Sequence, residues 1–178
     1  MSPVAFCRPY VEEKLENESN DQYEKRTWRE RGHYNEDGTA FIPSIMFKKA
    51  IELGAKFLNI KIPGEGNATY TKNFKAGIFV DTHIPLSAVK EQIKGDWQYV
   101  PADGKPNTSG PRVHKCFPQV DSWEGTLQVT ILDDKITEDV FTKVLKAAGT
   151  FIGVGRFRPI NAGDKGRFSV EKVEFENI

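Results

Sequence analysis

Only two cysteines, Cys7 and Cys116, occur in the 178 residues of this chain. That is too few for the disulfide framework of a small secreted domain, and it leads us to expect a reducing, cytoplasmic setting. Long apolar runs are missing too: nothing approaches the roughly 20 residues of a membrane-spanning helix. The first ten residues, MSPVAFCRPY, lack the basic start and apolar stretch of a signal peptide. An excess of charge of either sign is absent, with 25 basic and 25 acidic residues. This balance excludes a histone-like or polybasic protein, while leaving room for a local basic face. The sequence contains no internal repeat and no low-complexity tract.

Catalytic and metal-binding patterns are equally sparse. His33, His83 and His114 lie far apart in sequence, and no serine occupies a nucleophile elbow. His114 and Cys116 lack zinc-site spacing, and the pair Asp133–Asp134 reads more simply as the close of a strand than as a ligand for a hard cation. No cofactor and no metal are expected. A histidine-dependent ribonuclease, with His33 or His114 as general acid or base, stands as an alternative that nothing in the sequence requires.

What is present is a mixed pattern of helices and strands of a size that suits one domain, residues 1–178. PSIMFKKAIELGAKFL (43–58) predicts a helix, with Pro43 in its first turn and Ile42, Met46, Ala50, Leu53 and Phe57 at helical spacing. TEDVFTKVLKAAG predicts a second, capped by Thr137, with a stripe of Val140, Val144, Leu145 and Ala148. Strands are predicted in VAFCRPY near the start, in GIFVDTHI (77–84), in GTLQVTIL (125–132) and in RFSVEKVEF (167–175), whose alternation slips between Val170 and Val173. The order strand, helix, strand, strand, helix, strand predicts an α+β fold with a ferredoxin-like βαββαβ core, as in RNA-recognition modules. Two long insertions interrupt it. Residues 11–40 form a charged arm, and residues 85–124 form a projecting loop or hairpin.

Both insertions carry candidate binding residues. In the first, the acidic VEEKLENESNDQYE gives way to KRTWRERGHY, where Arg26, Arg29 and Arg31 flank Trp28. Cations beside an aromatic ring suit a surface that neutralises phosphates while a base stacks; an exposed basic arm with Trp28 in the core would read the same. The second holds Trp97, Tyr99, Lys105, Arg112, His114, Lys115, Phe117 and Trp123. Tyr70 and Lys72 add to the set, in a polar loop that leads toward a strand.

The last candidate is GVGRFRPINAGDKGRF (153–168). It is no dinucleotide fingerprint, because Arg158 stands where the third glycine belongs, and it lacks the Gly-Lys-Ser/Thr of a phosphate loop. Two readings remain. Gly153, Gly155, Gly163 and Gly166 could simply connect the second helix to the last strand, with solvated arginines. Alternatively they bring the backbone close to a sugar–phosphate chain that Arg156, Arg158 and Arg167 hold.

Two of these stretches, TAFIPSIMFKKAIELGAK (39–56) and the glycine-rich segment, resemble motifs of the RAMP superfamily, the RNA-recognition-derived backbone subunits of CRISPR effector complexes. From Tyr23 onward the chain is also similar to a family of proteins encoded in tailed-bacteriophage genomes. YEKRTWRER, AFIPSIMFKKAI, ATYTKNFKAGI, CFP, LDDKIT and IGVGRFRP carry that likeness. The chain departs from the RAMP pattern at Ser44–Met46, where glycine and serine are more usual. The resemblance implies a ferredoxin-like fold with a basic face for single-stranded DNA or RNA, and self-association along the strand. It implies no nuclease activity, because the acidic residue that some RAMP subunits use has no counterpart here. The expectation is non-catalytic binding in phage replication, recombination or counter-defence, in the host cytoplasm and away from membranes. A phage protein that binds and inhibits a host defence complex is the alternative.

Overall fold

A computed structural model describes residues 1–102, 104 and 110–176; Lys105 lies outside them. The architecture is mixed α+β, with short antiparallel sheets around two packed helices.

The charged arm leads into structure rather than remaining an open excursion. Ser19 caps helix α1 (Asn20–Thr27) in a reciprocal capping box with Gln22, a pairing that satisfies two backbone donors at once. A 3-10 turn, Trp28–Arg31, continues α1. Strand β2 (Thr39–Ile42) follows, and Pro43 then starts helix α2 (Ser44–Leu58). The buried stripe of α2 is rotated from the predicted one: Phe47, Ala50, Ile51, Gly54 and Ala55 face inward. Phe57 instead stays exposed and stacks on Phe151 with ring centroids 4.9 Å apart. The reason is a close helix crossing. A Cβ on Gly54 would stand 2.9 Å from the Val144 carbonyl oxygen of helix α4 (Glu138–Ala147), so the glycine lets the two backbones approach. Thr137 caps α4 through the Val140 N–H, as expected.

The segment around Tyr70 forms a short helix, α3 (Thr71–Ala76), where the sequence suggested a loop. Its Phe74 is fully buried and stacks parallel to Phe141 of α4. After it, β3 (Ile78–Val80) pairs with β7 (Val129–Ile131), and β4 (Ile84–Val89) pairs with β2. Residues 85–124 are part of the sheet system, not solely a projection. Strands β5 (Lys94–Pro101) and β6 (Arg112–Val120) form a long hairpin, and the base of β6 pairs with β1 (Val4–Ala5). Cys116, Phe117 and Pro118 are buried there.

Residues 167–175 do not form the expected strand. Ser2, Pro3 and Gly149 hold the start of this region: the Arg167 N–H donates to Ser2 Oγ and the Phe168 N–H to the Gly149 carbonyl. Beyond that point the segment has no ladder among the described residues. Its apolar side chains cover helices and core instead, Phe168 against Phe47 and Trp123, and Phe175 against Phe141. The slip between Val170 and Val173 fits this covering role. No helix among the described residues is long and apolar enough to cross a membrane.

Candidate nucleic-acid interface

The β5–β6 hairpin is a two-stranded ribbon, and its register sorts the side chains onto two faces. Trp97 lies opposite Cys116, Tyr99 opposite His114, and Pro101 opposite Arg112. At the base of this face Trp28 packs against Gly95, and Glu24 of α1 accepts the Cys116 N–H. Farther out the face is open. Trp97 is 46% and Tyr99 54% exposed. The His114 ring lies 4.9 Å from Tyr99, and Arg112 places its guanidinium 5.5 Å from the same ring while donating to the Tyr99 carbonyl at 2.6 Å. The result is a row of rings flanked by cationic and hydrogen-bonding groups.

The other face meets the glycine-rich loop. Phe117 packs edge-on against Phe157, with centroids 5.0 Å apart, and Arg156 lies 5.3 Å from the Phe157 ring and 5.8 Å from that of Phe117. Lys115, two residues along β6, shares this face. Lys165 anchors the loop to Asp96 and Gln119. Phe157, between Arg156 and Arg158, adopts φ +56, uncommon for a bulky residue.

The four glycines of this loop face the chain itself. A Cβ on Gly155 would lie 2.5 Å from the Ala5 carbonyl oxygen, one on Gly153 would lie 2.7 Å from Pro159 Cδ, and those on Gly163 and Gly166 would overlap the carbonyls of Phe157 and Val154. Gly155 lets the Arg156 N–H reach the Ala5 carbonyl at 2.7 Å. The close approach read from the sequence is therefore internal, and any contact from this loop with a partner falls to its side chains.

The remaining predicted residues divide sharply. Trp28 and Tyr70 are buried, at 7% and 5% exposure. Their rings fill the core, so the stacking role expected of them has no open ring face. Arg31 is buried in a bidentate pair with Glu24 and also donates to the Cys116 carbonyl; this ties α1 to β6 and removes it from a phosphate track. Arg26 is exposed but bound by Glu12 and Glu18. Arg29 lies 4.2 Å above the Trp28 ring, and Arg158 is half-buried; the Nε of each is buried without a hydrogen-bond partner. Arg167 is exposed and donates to the Thr150 and Asp164 carbonyls. Lys72 lines an open depression with Asp133, Asp134 and Lys135, a mixed-charge setting.

Trp97, Tyr99 and His114 stand within the second insertion, from which the sequence reading takes only Arg112 and Lys115 as nucleic-acid ligands. The available signal was the alternation in DWQYVP and RVHKCF on either side of a proline- and glycine-rich stretch, which is a hairpin pattern. His33 is wedged between Phe6 and Phe41, and its burial, with the Arg8 charge nearby, lowers its pKa. Burial pushes the Cys116 thiol up to about 12, so this cysteine is inert as a nucleophile near neutral pH. Among the described residues no group of three or more His, Cys, Asp or Glu could hold a metal ion. Compared with known proteins, the chain matches no described family and no curated sequence.

Proposed function

We propose that the protein binds single-stranded nucleic acid without cutting it, through the ring-bearing face of the β5–β6 ribbon. The observation that carries this reading is the pair of exposed rings, Trp97 and Tyr99, on one face of a strand with Arg112 stacked beside them. Rings two residues apart on a strand stand about 6.6 Å apart, roughly twice the 3.4 Å rise per nucleotide of a stacked strand. Bases that are splayed from one another fit that spacing. Paired bases within a duplex keep their faces covered, so the ribbon favours single strands. Arg112, and on the opposite face Lys115 and Arg156, supply charge for phosphates.

We further propose that the core is a ferredoxin-like variant. Three features support it: the antiparallel pairing of β3 with β7, the antiparallel bridge from Ala5 to Arg156, and the packing of α2 on α4. These are the neighbours that a split βαβ arrangement sets between its middle strands, its first and last strands, and its two helices. From the resemblance of its sequence motifs alone, we propose a role in phage replication, recombination or counter-defence.

Fluorescence anisotropy with labelled single-stranded DNA, single-stranded RNA and duplex DNA over a salt series tests the binding reading. Single strands are expected to bind more tightly than duplex. Trp97→Ala and Tyr99→Ala are each expected to cost about 1–3 kcal/mol, or about 5- to 150-fold in affinity, with thermal stability unchanged. No binding at low salt, or binding indifferent to both substitutions, overturns the proposal.

A further inference from the structure

Arg26 is an exposed arginine whose guanidinium is already filled by the chain's own acidic arm. It donates to Glu12 Oε1 at 2.7 Å, to Glu18 at 2.8 and 3.0 Å, and to the Glu13 carbonyl at 3.2 Å. Both carboxylates are themselves positioned. Glu12 accepts the Tyr10 hydroxyl at 2.8 Å and donates its own N–H to the Tyr23 hydroxyl, and Glu18 accepts the Leu15 N–H at 3.1 Å. The hydrogen bonds from Arg26 hold Glu18 below the usual carboxylate range; those from Tyr10 and then Arg26 do the same for Glu12.

The arm is held by these polar contacts, with the Glu18 side chain covered and little apolar burial. Its apolar side chains, Val11 and Leu15, are 92% and 60% exposed. Residues 11–18 carry four carboxylates against one lysine. The helix that bears Arg26 is docked on β6 through Glu24, and the Trp28 that follows it abuts Gly95 of β5. Arg26 lies on that helix two residues after Glu24, with its contacts to Glu12, Glu13 and Glu18.

We propose that Arg26 is a phosphate-binding position that the acidic arm, residues 11–18, occupies until a nucleic-acid strand displaces it. This rests on the single-strand reading above. A phosphodiester offers a guanidinium fork the same charged oxygen acceptors as a carboxylate. Arg26 and Glu12 keep 29% and 43% of their side chains exposed, while Glu18 keeps 6%. Exposed ion pairs are weak, so the Glu12 contact is the one a strand displaces first, and the arm acts as a built-in competitor that lowers affinity and favours longer strands over isolated phosphates.

The test is a cycle of variants measured for binding to labelled single-stranded DNA, with trypsin cleavage after Lys14 as a second readout. The double variant Glu12→Gln/Glu18→Gln is expected to bind on the order of fivefold more tightly. Its log–log salt slope should steepen by about 0.7, the contribution of one phosphate contact. Adding Arg26→Ala to this variant should abolish the gain. Glu13→Gln/Glu16→Gln, which removes as much charge from carboxylates that make no ion pair with Arg26, should gain much less. Inorganic polyphosphate should accelerate cleavage at Lys14 in the wild-type chain. The proposal is overturned if the gain survives Arg26→Ala, if the control variant gains equally, or if the wild type binds DNA and the first variant shows no gain. Should no form bind DNA, the ribbon reading fails by itself, and unchanged cleavage with polyphosphate then overturns the arm's role separately.

Discussion

Glu24 and Arg31 show what a side chain's neighbours do to its apparent purpose. Both are almost fully buried, and they bind one another as well as the backbone of Cys116. Burial pushes the Glu24 carboxyl upward, but hydrogen bonds from Arg31 and the Cys116 N–H, with the Arg31 charge, outweigh it and leave the group below its ordinary value. A carboxylate lowered in the folded state contributes its full stability above its unfolded pKa near 4.5, and that contribution is lost as pH falls through the lowered value. Arg31→Met would strand a buried charge and is expected to cost about 3–5 kcal/mol at neutral pH. With Arg31 gone, burial is opposed only by the Cys116 N–H and the Lys115 charge, so the deficit should narrow as the solution is acidified. Denaturant melts of both proteins at pH 7 and near pH 4.5 check this. An unchanged gap would mean that Glu24 is not the group responsible.

At the scale of elements, the glycine-rich loop and the ribbon divide the labour differently from their composition. The loop is a structural joint: its backbone closes on β1 and on itself. Gly166 has φ +73, and a Cβ there would overlap the Val154 carbonyl. Gly38 has a similar φ of +83 and open space around it. Gly38→Ala should therefore cost only the left-handed backbone penalty, about 1–2 kcal/mol. Gly166→Ala should cost clearly more, because backbone must also move. Chemical denaturation of the two variants separates the effects, and equal losses would show that conformation alone governs both. The ribbon, in contrast, keeps open rings. The sequence reads this segment as a projecting loop or hairpin, and the facing of Trp97 and Tyr99 depends on the strand register that pairs β5 with β6.

For the whole molecule, zero net charge means that binding depends on where cations are left without carboxylates. Arg26 and Arg31 are neutralised by partners drawn from the arm and α1, whereas Arg156 lies over aromatic rings. If Arg112, Lys115 and Arg156 each meet one phosphate, single-strand affinity should fall with salt at a log–log slope of about −2. Arg156→Ala should reduce that slope by about 0.7. A slope unchanged by this substitution would remove the loop face from the interface.

The sequence by itself determined the two long helices, with Pro43 and Thr137 at their starts, and the strands at 78–80 and 129–131, while the strand read at 167–175 did not form. Those follow from local periodicity and capping, which act within a few residues. It also marked where cations and aromatics gather. Only the tertiary structure decided which of them remain available. Trp28 and Tyr70 read like stackers and are core; Arg26 and Arg31 read like phosphate ligands and are held by Glu12, Glu18 and Glu24. Burial and ion pairing arise between residues distant in the chain, as when Glu24 meets Cys116. A ring or a guanidinium carries the same letter whether its face is open or filled.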